Sequence, residues 1–190
     1  MKPLSFLILI IFTCSSYAQD TYLERVKNTV DSTHTNNMVL IQEFEVSVPL
    51  DKAWEAYTTK KGWESAFVAK AEVDFKINGM IKTSYDKNAT IGDSTTIVLH
   101  IKNYIPKRLI SLQAELSPHF PEFMKRDAQD LYNIISFEAI DANTTKLTSY
   151  GIGYKNNAKY KGLLKFFIQG NTQSYINLIK YLETGISIQH

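Results

Sequence analysis

Four histidines, His34, His100, His119 and His190, are the side chains of this sequence best suited to proton transfer or metal ligation near neutral pH. No two of them stand at the i, i+4 or short-loop spacing that a metal site needs, so none is assigned. His100 alternates with Lys102 on what reads as the polar side of a strand. His119, between Pro118 and Phe120, falls in a loop expected to reach over the mouth of an interior cavity. A neutral imidazole there could give or take a proton, but no carboxylate at a readable spacing orients it. Ser111, Ser117 and Ser136 lack a nucleophile-elbow pattern, and no glycine-rich phosphate loop is present. No catalytic residue and no cofactor is therefore expected.

A second group of residues is polar where the pattern demands apolar. Gln42, Asn133 and Ser149 fall on the inward sides of their strands by alternation, and Asn171 on the inward face of the last helix. Tyr85, at the end of its strand, could join them. A buried amide or hydroxyl needs partners, and a few convergent polar groups in an apolar cavity are how small-ligand sites are built. The competing account is that these groups satisfy one another or hold buried water. Eleven tyrosines and ten phenylalanines suit an aromatic-lined cavity and equally a solid core. With His119, these five polar residues form the candidate ligand-binding set.

The elements that would position them follow from periodicity. Residues 38–48 alternate, with Leu40, Gln42, Phe44, Val46 and Val48 on one side, and Pro49 stops the strand. Asp51 can cap a helix that turns Ala53, Trp54 and Tyr57 inward, and residues 61–67 read as a second short helix. From residue 71 the period returns to two, with Val73, Phe75 and Ile77 on one face and Asn78-Gly79 as a tight hairpin turn into 80–85. Further strands are expected at 95–104, 108–116, 131–140 and 146–154, with a helical turn at 122–126. Residues 158–184 read as one long helix, since Leu164, Ile168, Asn171, Tyr175, Leu178 and Leu182 recur at spacings of four and three. Lys161, Lys165, Gln169, Gln173 and Lys180 fall largely elsewhere on it. The expectation is seven strands, two short helices after the first, and a long helix that buries one face on the sheet.

Residues 1–18 have the form of a secretory signal peptide. Lys2 gives the positive start, 4–12 the apolar run, and Ser16-Tyr17-Ala18 the small-x-small boundary before Gln19. The run is too short for a stable membrane anchor, so no stable membrane insertion is expected. Export would make the protein secreted or periplasmic. Lipid attachment at Cys14 is the alternative, and the bulk of Thr13 before it argues against it. Cleavage removes the only cysteine, so the exported chain would hold together without a disulfide. Residues 19–37 read as a polar lead-in arm and 38–190 as one domain. The net charge is only +2, with no basic run or stripe, which excludes nucleic acid as a natural partner.

The order strand, two short helices, six antiparallel strands, long helix resembles the helix-grip fold of the START-like (SRPBCC) superfamily, an α+β fold. The segments VSVPLDKAWEAYTTKKGWESAF (46–67), AEVDFKINGMI (71–81) and IPKRLISLQAELSPHFPE (105–122) resemble its branch related to activators of the heat-shock-protein-90 ATPase, as does Gly151-Ile152-Gly153. The resemblance spans 38–183. It implies an antiparallel sheet wrapped around the C-terminal helix, and a small apolar molecule bound between the two without chemistry. A polyketide-cyclase or hydrolase-type enzyme using His119 with cavity tyrosines is the alternative, and a ligand-free interaction module a third. An exported chain would not meet a cytosolic chaperone. The sequence departs from the branch in two places, with Ile152 where Gly-Trp-Gly is frequent and Asn171 near a frequent tryptophan. Either departure could enlarge or wet the cavity, or be repacked by neighbouring aromatics.

Overall fold

The computed structural model describes residues 22–33 and 36–188. The expected signal peptide with Cys14, together with His34 and His190, lies outside the described residues.

The described chain forms one antiparallel sheet. Its strands are β1 (Lys27–Asp31), β2 (Asn37–Val46), β3 (Lys70–Val73), β4 (Met80–Ser84), β5 (Ile97–Ile105), β6 (Leu109–Ala114), β7 (Tyr132–Ala139) and β8 (Thr145–Lys155). Their order across the sheet is β1-β2-β8-β7-β6-β5-β4-β3. Helices α1 (Leu50–Thr58) and α2 (Lys60–Ala66) follow β2, α3 (Glu122–Arg126) and a 3₁₀ turn (Ala128–Asp130) precede β7, and α4 (Ala158–Thr184) ends the fold. The sheet has eight strands rather than the expected seven. The additional one, β1, lies in the segment read as a lead-in arm. Its sequence KNTVD has one apolar residue, and that residue, Val30, is exposed. Lys27 to Val30 are all exposed, and an edge strand with no buried position gives no alternation to read.

The helices are set by local chemistry. Asn157 caps α4, its side chain accepting from the Tyr160 N–H at 3.1 Å, and Gly185 ends it in the left-handed conformation at φ 73°. Thr59 closes α1 and caps α2 by accepting from the Gly62 N–H. A Cβ on Gly62 would stand 2.4 Å from the Ala56 Cα, so glycine is what lets α2 fold back on α1. Asp51 does not cap α1. It lies in the first turn, where Pro49 occupies the cap position, and it accepts from the Lys107 ammonium at 2.7 Å.

The expected two-residue hairpin after residue 77 is not formed. β3 ends at Val73, the Asp74 N–H bonds the Met80 carbonyl at 2.9 Å, and residues between them loop out. Two forces compete with the strand there. Phe75 leaves it to pack on Tyr104 and Trp54, at ring separations of 4.8 and 5.7 Å. Asn78, at φ 63°, and Gly79 are laced to Ile101 of β5 by backbone bonds of 2.9 Å. Asn78 does take the left-handed turn position its type favours.

The core lies between the sheet and α4, and divides into two. The larger part gathers Phe44, Val46, Tyr57, Phe137, Leu147, Tyr175, Ile176 and Leu178 under α1, α2 and the C-terminal half of α4. The smaller gathers Met38, Leu40, Met124, Leu131, Tyr154, Tyr160 and Leu164 under its N-terminal half. Along α4, Leu164, Tyr175 and Leu178 are buried and Ile168, Asn171 and Leu182 half-buried, which is the face expected from the spacing.

Candidate functional site

What separates the two parts of the core is a row of amides and hydroxyls. Asn28 of β1 is in register with Gln42 of β2, and Gln42 with Ser149 of β8. Asn133 of the next strand, β7, donates from Nδ2 to the Ser149 Oγ at 2.8 Å. The row thus crosses β1, β2, β8 and β7, which are neighbours in the sheet. α4 meets it with Asn171, Thr172 and Tyr175, one turn of helix face. The Asn171 Nδ2 donates to the Gln42 Oε1 at 2.8 Å, and the Gln42 Nε2 donates to the Asn28 Oδ1 at 2.6 Å. The Thr172 hydroxyl donates to the same Asn28 oxygen at 3.3 Å. Gln42 and Ser149 are each about 1% exposed, so these bonds are what makes their burial tolerable.

Tyr175 ties the row to the larger part of the core. Its ring stacks on Phe44 at 4.8 Å, and its hydroxyl is engaged by Ser149 and Asn133. Burial pushes this phenol up to about 12, with the Ser149 and Asn133 bonds opposing part of that rise. Close by, Tyr57 of α1 is enclosed by Trp63, Phe67 and Phe137, with ring separations of 6.4, 5.2 and 5.4 Å. Its hydroxyl is fully buried and, among the described residues, is the one buried side-chain polar atom without a hydrogen-bond partner. Desolvation first, and the neighbouring Tyr175 second, hold the Tyr57 phenol well above its ordinary value. Both phenols therefore remain protonated donors at any physiological pH.

On the other side of the row, the smaller part of the core is aromatic. Phe120 and Phe167 stack at 6.4 Å, Phe123 meets Tyr160 edge-on at 5.0 Å, and Tyr154 lies 5.9 Å from Phe167. Leu116, Phe120 and Phe123 come from residues 115–131, which cover this end of α4. That cover is fastened by the Tyr160 hydroxyl, which donates to the Asp127 Oδ2 at 2.9 Å, and by Lys155 on Asp130 at 3.0 Å. Phe166 is 64% exposed beside it, and added Cβ atoms at Gly162 and Gly170 would meet open space.

The structure thus brings together Gln42, Asn133, Ser149 and Asn171 of the expected set, and leaves two members elsewhere. Tyr85 is 60% exposed, past the end of β4, and His119 is exposed in the cover segment. Asn28, Tyr57, Thr172 and Tyr175 were not in that set. The tyrosines carried a signal, since an inward-facing phenol needs a partner for its hydroxyl. Among the described residues, two hollows lie away from the polar row. One, of about 240 Å³, is bordered by α1, α2 and the C-terminal end of α4. The other, of about 460 Å³, lies along Arg25, Glu43 and Lys146. Among the described residues no three His, Cys, Asp or Glu are placed to hold a metal ion, and no helix is long and apolar enough to cross a membrane.

Solved structures share this architecture. A conserved protein of unknown function from Enterococcus faecalis superposes with a TM-score of 0.63 at 12% identity, covering 90% of this chain and 86% of that one. The Aha1 protein of Colwellia psychrerythraea, solved as a dimer, gives 0.58 at 12% identity over 77% of this chain and 97% of its own. An HSP90 activator from Plasmodium falciparum gives 0.55 at 20% identity, covering 76% and 94%. No curated protein matches the sequence. At such identities the structures establish the fold alone, an α+β START-like grip around the C-terminal helix. The sequence itself goes further, because residues 47–183, most of the grip, match the profile of one family. The chain belongs to the family described as activator of Hsp90 ATPase homolog 1-like proteins.

Proposed function

We propose that the protein is an exported, non-enzymatic binding domain that holds a small apolar molecule between the sheet and α4. The observation that carries this reading is the divided interior. An aromatic end under residues 115–131 is bordered on its inner side by a row of uncharged hydrogen-bonding groups. An apolar body in the first and a polar end against the second is the usual division of labour in a small-ligand site. Access would come from lifting residues 115–131, whose attachment to α4 rests on the Tyr160–Asp127 bond and the contacts of Phe120 and Phe123. Enzymatic use of His119 has no support from geometry, since the imidazole is exposed in the cover and the polar row is inside. Export rests on residues 1–18 alone.

The test is native mass spectrometry of protein recovered from its natural host. A retained molecule of defined mass, released on denaturation and unchanged on incubation, supports binding, whereas its conversion would point to an enzyme. A second reading, a solid interaction module without ligand, is favoured by one observation. The amides of the row already satisfy each other. Protein that is always empty and excludes apolar probes would establish it.

A further inference from the structure

We propose that the solvent side of the N-terminal half of α4 docks the protein peripherally on an anionic phospholipid membrane, with the Phe166 ring at the level of the headgroups. Such docking is independent of what the interior holds. Phe166 is the one exposed phenylalanine among the described residues. Gly162 and Gly170 stand one turn before and one turn after it, and a Cβ at either would meet open space. The ring therefore projects from a bare strip of helix, touching Phe167 edge-on at 5.7 Å. Beside it Leu163, Phe167, Phe120 and Phe123 are half-buried, so the apolar surface continues from α4 onto residues 115–131. A contiguous apolar patch rimmed by polar residues marks contact with another surface.

Charge identifies that surface. Lys159, Lys161 and Lys165 are exposed around the ring, and Arg126 is exposed one turn beyond Phe123. Lys159 lies 5.9 Å over the Phe123 ring, and among the described residues none of the four cations has a carboxylate within ion-pair distance. The neighbouring acids are already taken, Glu122 by Lys125, Asp127 by the Tyr160 hydroxyl and Asp130 by Lys155. α4 has no acidic residue before Glu183, and none in its first turn, where the helix dipole favours one and disfavours Lys159 and Lys161. Unpaired lysines held at a helix start against its dipole suit a polyanion, and the net +2 of the whole chain hides this asymmetry. A second copy would bring the same cations face to face. An acidic protein would need a pocket of its own for the projecting ring, whereas a bilayer interface takes a ring beside lysines without one.

The experiment sediments the protein, as its host exports it, with vesicles of phosphatidylcholine alone or with about one-third phosphatidylglycerol. The wild type should bind the anionic vesicles at least about tenfold more tightly, and added salt should weaken that binding. Lys161→Gln with Lys165→Gln should weaken it by about ten- to thirtyfold, and Phe166→Ser by about fivefold, with melting temperatures unchanged because all three side chains are exposed. Lys61→Gln with Lys87→Gln removes the same charge from exposed positions elsewhere and should change binding by less than about twofold. In Phe166→Trp, brominated lipids should quench the new indole, while Trp54 and Trp63 of the wild type stay unquenched. Equal binding to both vesicles, equal loss in the Lys61 and Lys87 variant, or indifference to Phe166→Ser would overturn the proposal. So would failure to bind either vesicle: self-association lost in Phe166→Ser would then give the face to a second copy, and retention on polyglutamate to an acidic protein.

Discussion

Asn171→Leu tests the polar row at the point where α4 meets it. Asn171 is half-buried and its Nδ2 donates to the Gln42 Oε1 at 2.8 Å, while Gln42 is about 1% exposed. Leucine removes that donor and leaves a buried amide oxygen unpaired, which costs about 1–3 kcal/mol. The added apolar contact offsets only part of this, because the position is partly open to solvent. A melting temperature lower by roughly 2–4 °C per kcal/mol is expected for a domain of this size. Gln42→Leu should cost less. It frees the Asn171 amide, which can reach water, and the Asn28 oxygen, which keeps the Thr172 hydroxyl at 3.3 Å. Replacing both residues leaves no buried orphan at the pair, so the double variant should be more stable than the sum of the two losses predicts, by about 1–2 kcal/mol. Chemical denaturation of the four proteins measures this. If Asn171→Leu is as stable as the wild type, or the two losses add, the Gln42 oxygen is not held by Asn171 and the row is not a connected network.

Other perturbations follow from single contacts. Gly62→Ala should destabilise by about 2 kcal/mol or more, since the new methyl meets Ala56 backbone at 2.4 Å; a gain from better helix propensity, read by denaturation, would contradict the close crossing of α1 and α2. Glu183 is held below the ordinary carboxylate value, chiefly by its hydrogen bond from Arg25, with the Ser47 N–H adding to it. Its contribution is therefore complete above about pH 4.3 and is lost as pH falls through the lower folded value. Glu183→Gln should flatten the acid limb of a stability–pH curve, and an unchanged limb would show that the Arg25 clasp does not matter. Export predicts that the mature chain begins at Gln19, and mass analysis finding Met1 or a lipid on Cys14 would overturn it.

The parts of this fold that were legible in the sequence are those where local signals and burial agree. α4 runs over Ala158–Thr184 as the spacing of Leu164, Tyr175 and Leu178 requires, and Asn157 and Gly185 mark both ends chemically. The inward placement of Gln42, Asn133, Ser149 and Asn171 was legible because each interrupts an apolar face. Their pairing was not. Gln42 reaches Asn171 across 129 positions of chain, and Asn133 reaches Ser149 because β7 lies beside β8, facts of sheet order that no local pattern contains. β1 was hidden for the opposite reason: Lys27 to Val30 are all exposed, so no apolar–polar alternation announces the strand, and Asn28 joins the polar row only by accepting from Gln42 and Thr172. At 74–79 the Asn-Gly signal was genuine, but the stacking of Phe75 on Tyr104 and the bonds to Ile101 outweighed it.

Whether a molecule occupies the space between α4 and the sheet can be read directly by nuclear magnetic resonance with a nitroxide-labelled fatty alcohol. If the account is right, paramagnetic broadening concentrates on Leu131, Leu164, Ile168 and the rings of Phe120 and Phe167, and unlabelled alcohol reverses it. Broadening confined to Ala56, Tyr181 and Leu182, beside the hollow at α1 and α2, or no broadening at all, would contradict it.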